Sequence, residues 1–458
     1  MEQLSSLISF AISPLGIAFA GLGGLVLMQA RANPLLPWLA LGSLVFAASL
    51  SRFVNEWYPN PPSFFGPIDM LVGNGRPLTI ILLAIMVLMP VRYLRAPAGL
   101  PPFAFALLTA HLVIALKTFS GGSISFALLS AVTTGLIFFI FSQVGPRWIG
   151  QDGDIDRAIV AVAAAITAFT ALNAVQYVLG PQALAVANGR FNGTTGNPQH
   201  AAAFLGAGIP ALVYVALTRG FIWKLAALGT AAVAAYFLMW TGSRTGLLIG
   251  AAATMLLLRR SGAVAIGTGA LATIAGLYVI LTTPPGDFAL DRLVSTENTR
   301  GGVWAALWQS FQNNPLTGMS LTGDRLGFGE SSWLAMAATT GLLGLLPLLA
   351  SGAMLLKIAT QLLLGSAPTR RAQLQGDFAG GVVVSLIIGS IFEAFLLSAM
   401  SAATMLLLLV GIIGVRRLDI NARTKCSARR PGAQPLPGTA QRKRLYPPPR
   451  PLAPRPRP

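Results

Sequence analysis

The sequence has very little charge for its length. Only 10% of its 458 residues are Asp, Glu, Lys or Arg, whereas an average soluble domain has about 25%. A soluble protein of this size could not cover its surface with so few charged side chains. Because 54% of the residues are hydrophobic, the composition excludes an ordinary soluble enzyme and predicts a polytopic membrane protein.

Cysteine is nearly absent as well, and its single occurrence excludes a disulfide within the chain. Cys426 lies in a C-terminal segment that is rich in Pro and Arg. The first residues, MEQLSSLISF, lack the basic start and the small-residue cleavage site of a secretory signal. They are therefore interpreted as part of the first membrane span.

Long apolar runs recur along the chain and predict the fold class. About 18 or more apolar residues in a row are typical of a transmembrane helix. Thirteen candidate runs lie near residues 6–28, 35–51, 77–94, 100–119, 122–142, 157–180, 199–218, 221–240, 245–258, 263–282, 332–356, 377–398 and 400–415. The sequence predicts an all-α polytopic membrane protein with about 12–13 transmembrane helices in residues 1–416, in which residues 283–331 form a long, helical extracytoplasmic loop.

Positive charge is concentrated at the C-terminus. Residues 416–458 contain 12 Lys and Arg and one Asp, which gives +11 of the total net charge of +18. A Pro- and Arg-rich segment of this kind buries too little apolar surface to fold, so residues 417–458 are expected to be disordered. Such a tail could bind nucleic acid, but a cytoplasmic tail attracted to anionic lipids of the bilayer is favoured, and no nucleic-acid partner is expected.

Basic residues in every second loop predict the orientation of the spans. With the tail inside, Lys and Arg are concentrated in the cytoplasmic loops, as the positive-inside rule requires. The opposite loops, which then face outward, are 52–76, 117–122, 181–198, 241–244 and 283–331. Arginines in these outward loops run against the charge bias, so they either snorkel to lipid headgroups or bind a ligand.

Acidic residues are rare, and two groups of them need an interpretation. Asp152–Asp156 resembles a carboxylate metal site but lacks the Gly and Glu of a calcium-binding loop. We interpret it as a solvated cytoplasmic turn before a span. Glu393 and Asp377 lie in or near spans, where an ionised carboxylate is costly. For Glu393 we expect an ion pair with an arginine from elsewhere in the chain.

A glycine-rich segment that contains an arginine, NGRFNGTTGNPQH, occupies residues 188–200. Its glycines permit tight turns and close approach of the backbone to a ligand. Asn197 and Pro198 are suited to the N-cap and the first turn of the helix that follows. A helix N-terminus beside Arg190 is a potential anion site, and an ordinary loop before a capped helix is the alternative.

A second motif, TGSRTG at residues 241–246, places Arg244 between two spans. A Ser-Arg pair in this position is either an anchor at the membrane interface or a ligand for an anion. The motif is short, so it supports an anion site only together with the other outward loops.

The loop 283–331 is polar, unlike its surroundings, and is predicted to cap a site on the outer face of the membrane. Arg300 lies within it, and Glu330 ends it directly before the next span. Three aromatic residues between them are spaced as on one face of an amphipathic helix at the bilayer surface: Trp304, Trp308 and Phe311. A Glu before a span either stabilises the helix dipole or serves in catalysis.

Together these motifs resemble the O-antigen ligase/polymerase superfamily of bacterial membrane glycosyltransferases. The resemblance covers roughly residues 185–345 and rests on RFNGTTGNPQHAA, SRTGLL, TRGGVW with NPLTG, and the segment that opens the span after the loop, in this order. It implies a GT-C-like membrane fold and transfer of a glycan from undecaprenyl pyrophosphate to a sugar hydroxyl of an acceptor glycan or glycolipid. The transfer would invert the anomeric centre on the periplasmic side of the inner membrane, with neither a metal ion nor a nucleotide sugar.

The resemblance also implies roles for individual residues. Arg190, Arg244 and Arg300 would bind the pyrophosphate, together with the helix start at Asn197. Arg190 and Arg300 would in addition act in catalysis, because a departing pyrophosphate needs its growing negative charge stabilised and arginine offers a fixed fork of donors.

One position departs from the family pattern. Ligases of this family usually carry a His-Asn pair where this chain has Glu330 and Ser331. Glu330 is then the candidate general base, with His200 as the alternative. A surface polysaccharide ligase and a polymerase both stay open, and a membrane transporter or lipid-linked glycan flippase is the rival class of function.

Overall fold

The computed structural model describes residues 12–30, 32–51, 63–89, 99–121, 124–185, 189–260, 300–319 and 330–428, together with a few isolated positions. Regular structure within these residues is helical. The helices, numbered in chain order, are α1 (Pro14–Gln29), α2 (Leu36–Ala47), α3 (Gly66–Gly73), α4 (Gly75–Val87), α5 (Pro102–Ser120), α6 (Ile124–Gln143), α7 (Asp152–Leu179), α8 (Pro198–Thr218), α9 (Phe221–Trp240), α10 (Arg244–Leu258), α11 (Gly301–Asn313), α12 (Ser332–Leu364), α13 (Arg370–Phe392) and α14 (Ala402–Ala428).

Several of these helices are long and apolar enough to cross a membrane, so the chain is a polytopic helical protein as predicted. Within the described residues there are seven: α5, α6 with its continuation to Trp148, α7, α8, α9, α12 and α13. An eighth is formed if α3 and α4, bent by 66°, count as one span, while α1, α2 and α10 are apolar but shorter. The expected number of 12–13 spans is not reached in this part of the chain, and the run predicted at 263–282 lies outside it.

Small residues let two central helices approach closely. A Cβ at Gly206 of α8 would lie 2.6 Å from the carbonyl oxygen of Gly246 in α10. A Cβ at Gly246 would lie 2.4 Å from the Cβ of Ala202. The glycine-rich segment directly precedes α8, and the TGSRTG turn directly precedes α10. This close crossing therefore brings the first two motifs to the same end of the helix bundle.

Loops that the charge pattern places on one side of the membrane meet at this end of the bundle. Arg190 donates from Nε to the carbonyl oxygen of Thr241 (2.7 Å). Lys117, at the end of α5, donates from Nζ to the carbonyl oxygen of Gly318 (3.4 Å). Each contact joins two of the loops that are predicted to face outward, so these loops lie at the same end of the bundle.

The opposite end of the bundle carries a network of ion pairs, and this corrects the prediction of a solvated turn at 152–156. Asp154 and Asp156, near the start of α7, are buried. Asp154 pairs with Arg157 at 2.6 Å. Asp156 pairs with Arg371 of α13 and accepts from Nε2 of Gln375 at 2.8 Å. Partners on α7 itself and on the neighbouring α13 thus replace water around these carboxylates.

The last helix corrects the predicted boundary of the tail. α14 continues to Ala428, so residues 417–428 are helical and not disordered. Arg417 is fully buried and donates from Nη1 to Oδ1 of Asp152 at 2.6 Å. A buried guanidinium of this kind holds the helix against the bundle because an unpaired charge in the interior would be costly. The rest of the predicted tail, 429–458, lies outside the described residues.

α12 is broken near its start by Gly341, whose backbone has φ 61° and ψ −153°. At the break, the N–H groups of Leu342 and Leu343 donate to the carbonyl oxygens of Pro315 (2.8 Å) and Leu316 (3.3 Å). The NPLTG motif thus supplies backbone acceptors to the broken helix. It thereby fixes α11, which precedes the motif, to the end of the bundle where the outward loops meet.

Substitution of this glycine is expected to destabilise the protein. In Gly341→Ala the new Cβ would lie 2.4 Å from the carbonyl carbon of Leu316, in a backbone conformation that costs a non-glycine residue about 1–3 kcal/mol. The midpoint of thermal unfolding in detergent is expected to fall. Gly229→Ala on α9 is the control, since no heavy atom lies within 4 Å of its Cβ position and alanine favours a helix. Equal midpoints in the two variants would refute the strain argument.

Candidate functional site

The segment before α8 has a backbone that its glycines and an aromatic residue hold in place. Its three glycines have positive φ, as the sequence predicts: Gly189 (71°), Gly193 (52°) and Gly196 (66°). Other residues are strained in this region. Phe191 stacks on Phe237 of α9 with ring centres 4.7 Å apart. Arg190, between Gly189 and Phe191, is therefore presented from a fixed backbone.

Arg190 is buried at this end of the bundle, with 7% of its surface exposed. Its hydrogen bond to Thr241 ties the glycine-rich segment to the TGSRTG turn. In that turn, Gly242 has a φ of 60°, and the Ser243 hydroxyl caps α10 by accepting from the N–H of Gly246 at 3.1 Å. The two motifs thus form one structure, in which the Thr241 carbonyl sets the orientation of the guanidinium.

Arg300 directly precedes α11 and reaches a carboxylate on another helix. Its Nη2 donates to Oε1 of Glu393 (2.6 Å) and to the hydroxyl of Thr245 on α10 (3.3 Å). The guanidinium carbon lies 5.6 Å from the centre of the Phe392 ring, a distance at which a cation is attracted to the aromatic face. The Arg300 side chain is 23% exposed and that of Glu393 is 4% exposed. The ion pair therefore lies at the border of the buried core.

Glu393 follows α13 and lies at the centre of the site, although the sequence assigned it no catalytic role. The expected ion pair with an arginine is confirmed, with Arg300 as the partner. The carbonyl oxygen of Glu393 accepts from the N–H of Ser332 (3.2 Å) and from its hydroxyl (2.7 Å). Its Oε2 is buried and accepts no hydrogen bond from the described part of the chain. The backbone is thus fixed, while one carboxylate oxygen can take a further partner.

Glu330 belongs to the same cluster and directly precedes Ser331, the N-cap of α12. The Ser331 hydroxyl accepts from the N–H of Leu334 at 3.3 Å, so Ser331 and not Glu330 caps the helix. The carbonyl oxygen of Glu330 accepts from Nε1 of Trp304 at 3.0 Å. Its Oε2 is buried and has no hydrogen-bond partner within the described ranges. The Glu330 side chain is therefore placed in the site without a structural hydrogen bond to that oxygen.

The charged side chains of the site act on one another. Burial raises the pKa of Glu393 to about 7, which the positive charge of Arg300 and the hydroxyl of Thr245 oppose. The negative charge of Glu330 raises this pKa further, and the positive charge of Arg190 lowers it. Three charged residues, each directly before or near the start of a different helix, thus lie within electrostatic reach of a single carboxylate. Near neutral pH, Glu393 is divided between its protonated and ionised forms.

Three other predicted site residues lie at the starts of the helices that border the cluster. Arg244 begins α10, next to Thr245, and is exposed. Asn197 caps α8, as predicted, because its Oδ1 accepts from the N–H of Gln199 at 2.8 Å. His200 lies in the first turn of α8 and is exposed. For these three residues, the roles in binding pyrophosphate or in proton transfer stay predictions.

The amphipathic helix predicted from the spacing of aromatic residues is confirmed as α11. Trp304 stacks on Phe392 with ring centres 6.1 Å apart, and Leu307 is fully buried. Trp308 is 49% exposed and lies 5.4 Å from Phe311. One part of the apolar face therefore covers the end of α13 beside the ion pair. The exposed Trp308 is suited to the interface between bilayer and water, where tryptophan is enriched.

The arrangement can bind a phosphorylated anion and exchange a proton beside it. Guanidinium groups hold phosphate oxygens with paired hydrogen bonds and keep their positive charge at any working pH. A carboxyl group with a pKa of about 7, such as that of Glu393, can both take up and release a proton there. In the described residues, no group of three His, Cys, Asp or Glu side chains is placed to hold a metal ion.

Comparisons with known proteins add no family assignment to this site. The resemblance to O-antigen ligases and polymerases therefore rests on the sequence motifs, of which Arg190, Thr245 and Arg300 act on Glu393 together with Glu330. No protein-family model matches the chain, and no curated protein matches it either.

Proposed function

We propose that this protein transfers a glycan from undecaprenyl pyrophosphate to a sugar hydroxyl of an acceptor at the periplasmic face of the bacterial inner membrane. The observation that supports this most strongly is that Arg190 and Arg300, from separate motifs, act on one buried carboxylate, Glu393. Two arginines at one end of a helix bundle are suited to hold a pyrophosphate at headgroup level. The lipid tail of the donor would then lie between the spans.

The leaving group explains why arginines are needed. When the bond between the anomeric carbon and the pyrophosphate oxygen breaks, its electron pair stays with the pyrophosphate. Arg190 and Arg300 stabilise this growing negative charge with donors of fixed geometry, so the reaction needs no metal ion. The acceptor hydroxyl attacks from the opposite face, which inverts the anomeric centre, and a basic side chain takes its proton.

Ligase and polymerase activity share this chemistry and differ only in the acceptor. A ligase transfers the glycan to a different molecule, such as a glycolipid, whereas a polymerase transfers it to another copy of the same repeat. Glu330 and Ser331, in the place of the His-Asn pair usual in ligases, are compatible with both. The proposal is therefore a surface polysaccharide ligase or polymerase, with lipopolysaccharide or exopolysaccharide as the product.

Glycosyl transfer by the purified protein in detergent tests this function. With a lipid-pyrophosphate-linked glycan and a glycan acceptor, in the presence of EDTA and without an ion gradient, we expect a covalently extended acceptor. A transporter or flippase would yield no such product, but would move the same lipid across the bilayer of proteoliposomes. Translocation without transfer would replace the proposed enzyme by this rival class.

A further inference from the structure

Glu393 occupies the position that a phosphate oxygen of the donor is expected to take. Its Oε1 lies 2.6 Å from Nη2 of Arg300, the distance of a charge-assisted hydrogen bond. Arg190 stabilises its negative charge as well. The carboxylate and an incoming phosphate therefore compete for the same cations. Where the phosphate takes over Nη2 of Arg300, the ion pair with Glu393 breaks.

Breaking this ion pair makes the carboxylate a stronger base. An arginine in contact with a carboxylate favours its ionised form and so weakens its affinity for a proton. Once the guanidinium of Arg300 turns to a phosphate, Glu393 loses this stabilisation and its pKa rises. The ionised base then forms at higher pH in the donor complex, so the pH dependence of kcat is expected to lie above that of kcat/KM. Its Oε2 is buried and accepts no hydrogen bond from the residues that the structure describes. This oxygen is thus placed to receive a proton without giving up another contact.

We propose, on the basis of the function proposed above, that Glu393 is the general base of the transfer and that donor binding activates it. The pyrophosphate takes the guanidinium of Arg300, and the released carboxylate removes the proton of the acceptor hydroxyl. The hydroxyl oxygen forms its bond to the anomeric carbon as the carbon–oxygen bond to the pyrophosphate breaks, and the pyrophosphate leaves with that electron pair. Glu393 passes the proton to water when the products depart and then pairs with Arg300 again.

The structure favours Glu393 over the two residues that the sequence suggests for this role. Glu393 touches Arg300 directly, and its backbone is fixed by two hydrogen bonds from Ser332. Glu330 influences the cluster through its charge. His200 lies on the first turn of α8 and is not among the described groups that act on Glu393. Only a base that shares its cation with the donor couples proton removal to the presence of pyrophosphate.

The groups around Glu393 set the pH at which this base operates. They come from four elements: Arg300 before α11, Thr245 on α10, Glu330 before α12 and Arg190 before α8. With burial as the largest cause, they leave the pKa of Glu393 at about 7. A general base acts in its ionised form. The value of kcat/KM is therefore expected to rise with pH through about 7 and to become constant above it.

Steady-state kinetics of Glu393→Gln test this role. Glutamine keeps the size of the side chain and can accept a hydrogen bond from Arg300, but it takes up no proton. We expect kcat to fall at least about 100-fold, the KM for the lipid-pyrophosphate donor to stay equal or decrease, and the pH dependence near 7 to disappear. If Glu393 only positioned Arg300, the donor KM would rise while kcat and the pH dependence were kept, and the proposal would be overturned.

Two further measurements keep the test decisive. Glu393→Asp retains a carboxylate and is expected to keep a part of the rate and the pH dependence. If Glu393→Gln does not assemble in the membrane, the wild-type profile decides, since a constant kcat/KM from about pH 6 to 8 excludes this base. Full activity of Glu393→Gln would overturn the base role and leave the proposed function intact. Absence of transfer by the wild-type protein would overturn both.

Discussion

Replacing Arg300 with alanine is expected to lower the rate of glycan transfer by about 100- to 1,000-fold, the usual effect of removing one charge-stabilising donor from an active site. Arg300 contacts Glu393 at 2.6 Å in the free protein and would contact the departing pyrophosphate in the reaction. The fold is expected to survive, because Glu393 has a pKa of about 7 and takes up a proton when its positive partner is removed. Transfer by the purified variant measures the loss.

Arg219→Ala is the matched control for this substitution. Arg219 follows α8 at the end remote from Arg190 and is exposed, so its loss removes the same charge without changing the site. Arg300→Lys separates charge from shape, because lysine offers a point charge where arginine offers a planar fork. Partial activity is expected for the lysine variant. Equal rates for Arg300→Ala and Arg219→Ala would contradict the role of Arg300.

The second large effect is expected at Arg190. Its replacement by alanine removes a cation that acts on Glu393 and leaves the Thr241 carbonyl without the donor now 2.7 Å away. We expect a loss of transfer of about 100-fold and, because that carbonyl is buried, a stability cost of about 1–3 kcal/mol. The rate of glycan transfer in detergent tests the first effect, and the midpoint of thermal unfolding tests the second. A variant with unchanged transfer would remove Arg190 from the site.

Single and double substitutions show whether the two arginines hold one anion. If Arg190 and Arg300 bind the same pyrophosphate, the double alanine variant is expected to be little slower than the slower single variant. Groups that act as a unit behave in this non-additive way. The four rates of the cycle give the coupling free energy. If the rate losses of the two single variants multiply in the double variant, the two arginines act on separate partners.

Features that depend on local pattern could be predicted from the sequence. Long apolar runs predict the helical membrane fold, because the length and hydropathy of a single run are enough to identify a transmembrane helix. The positive φ values of Gly189, Gly193 and Gly196 follow from the turns that a glycine-rich segment makes. The spacing of three aromatic residues predicts the helix α11. The number of spans is harder to predict, because helices such as α2 are shorter than a span and α3 and α4 are bent.

Features that depend on distant partners could not be predicted. The arginine that pairs with Glu393 is 93 residues away, and no periodicity in the sequence indicates which one it is. Arg417 directly follows an apolar run, which predicts that it belongs to the tail, but Asp152, 265 residues away, holds it in the core. Gly341 lies in an apolar run with no local sign of a break. The helix is broken at this glycine because the NPLTG motif packs against it.

Binding of the donor lipid tests most directly whether Arg190 and Arg300 form a pyrophosphate site. The wild-type protein in detergent is titrated with undecaprenyl pyrophosphate and with undecaprenol, which has the same tail and no phosphate. We predict that the wild type and Arg219→Ala bind the pyrophosphate lipid more tightly, and that the Arg190→Ala/Arg300→Ala variant loses this preference. An equal preference for pyrophosphate in the double variant and the wild type would contradict the account.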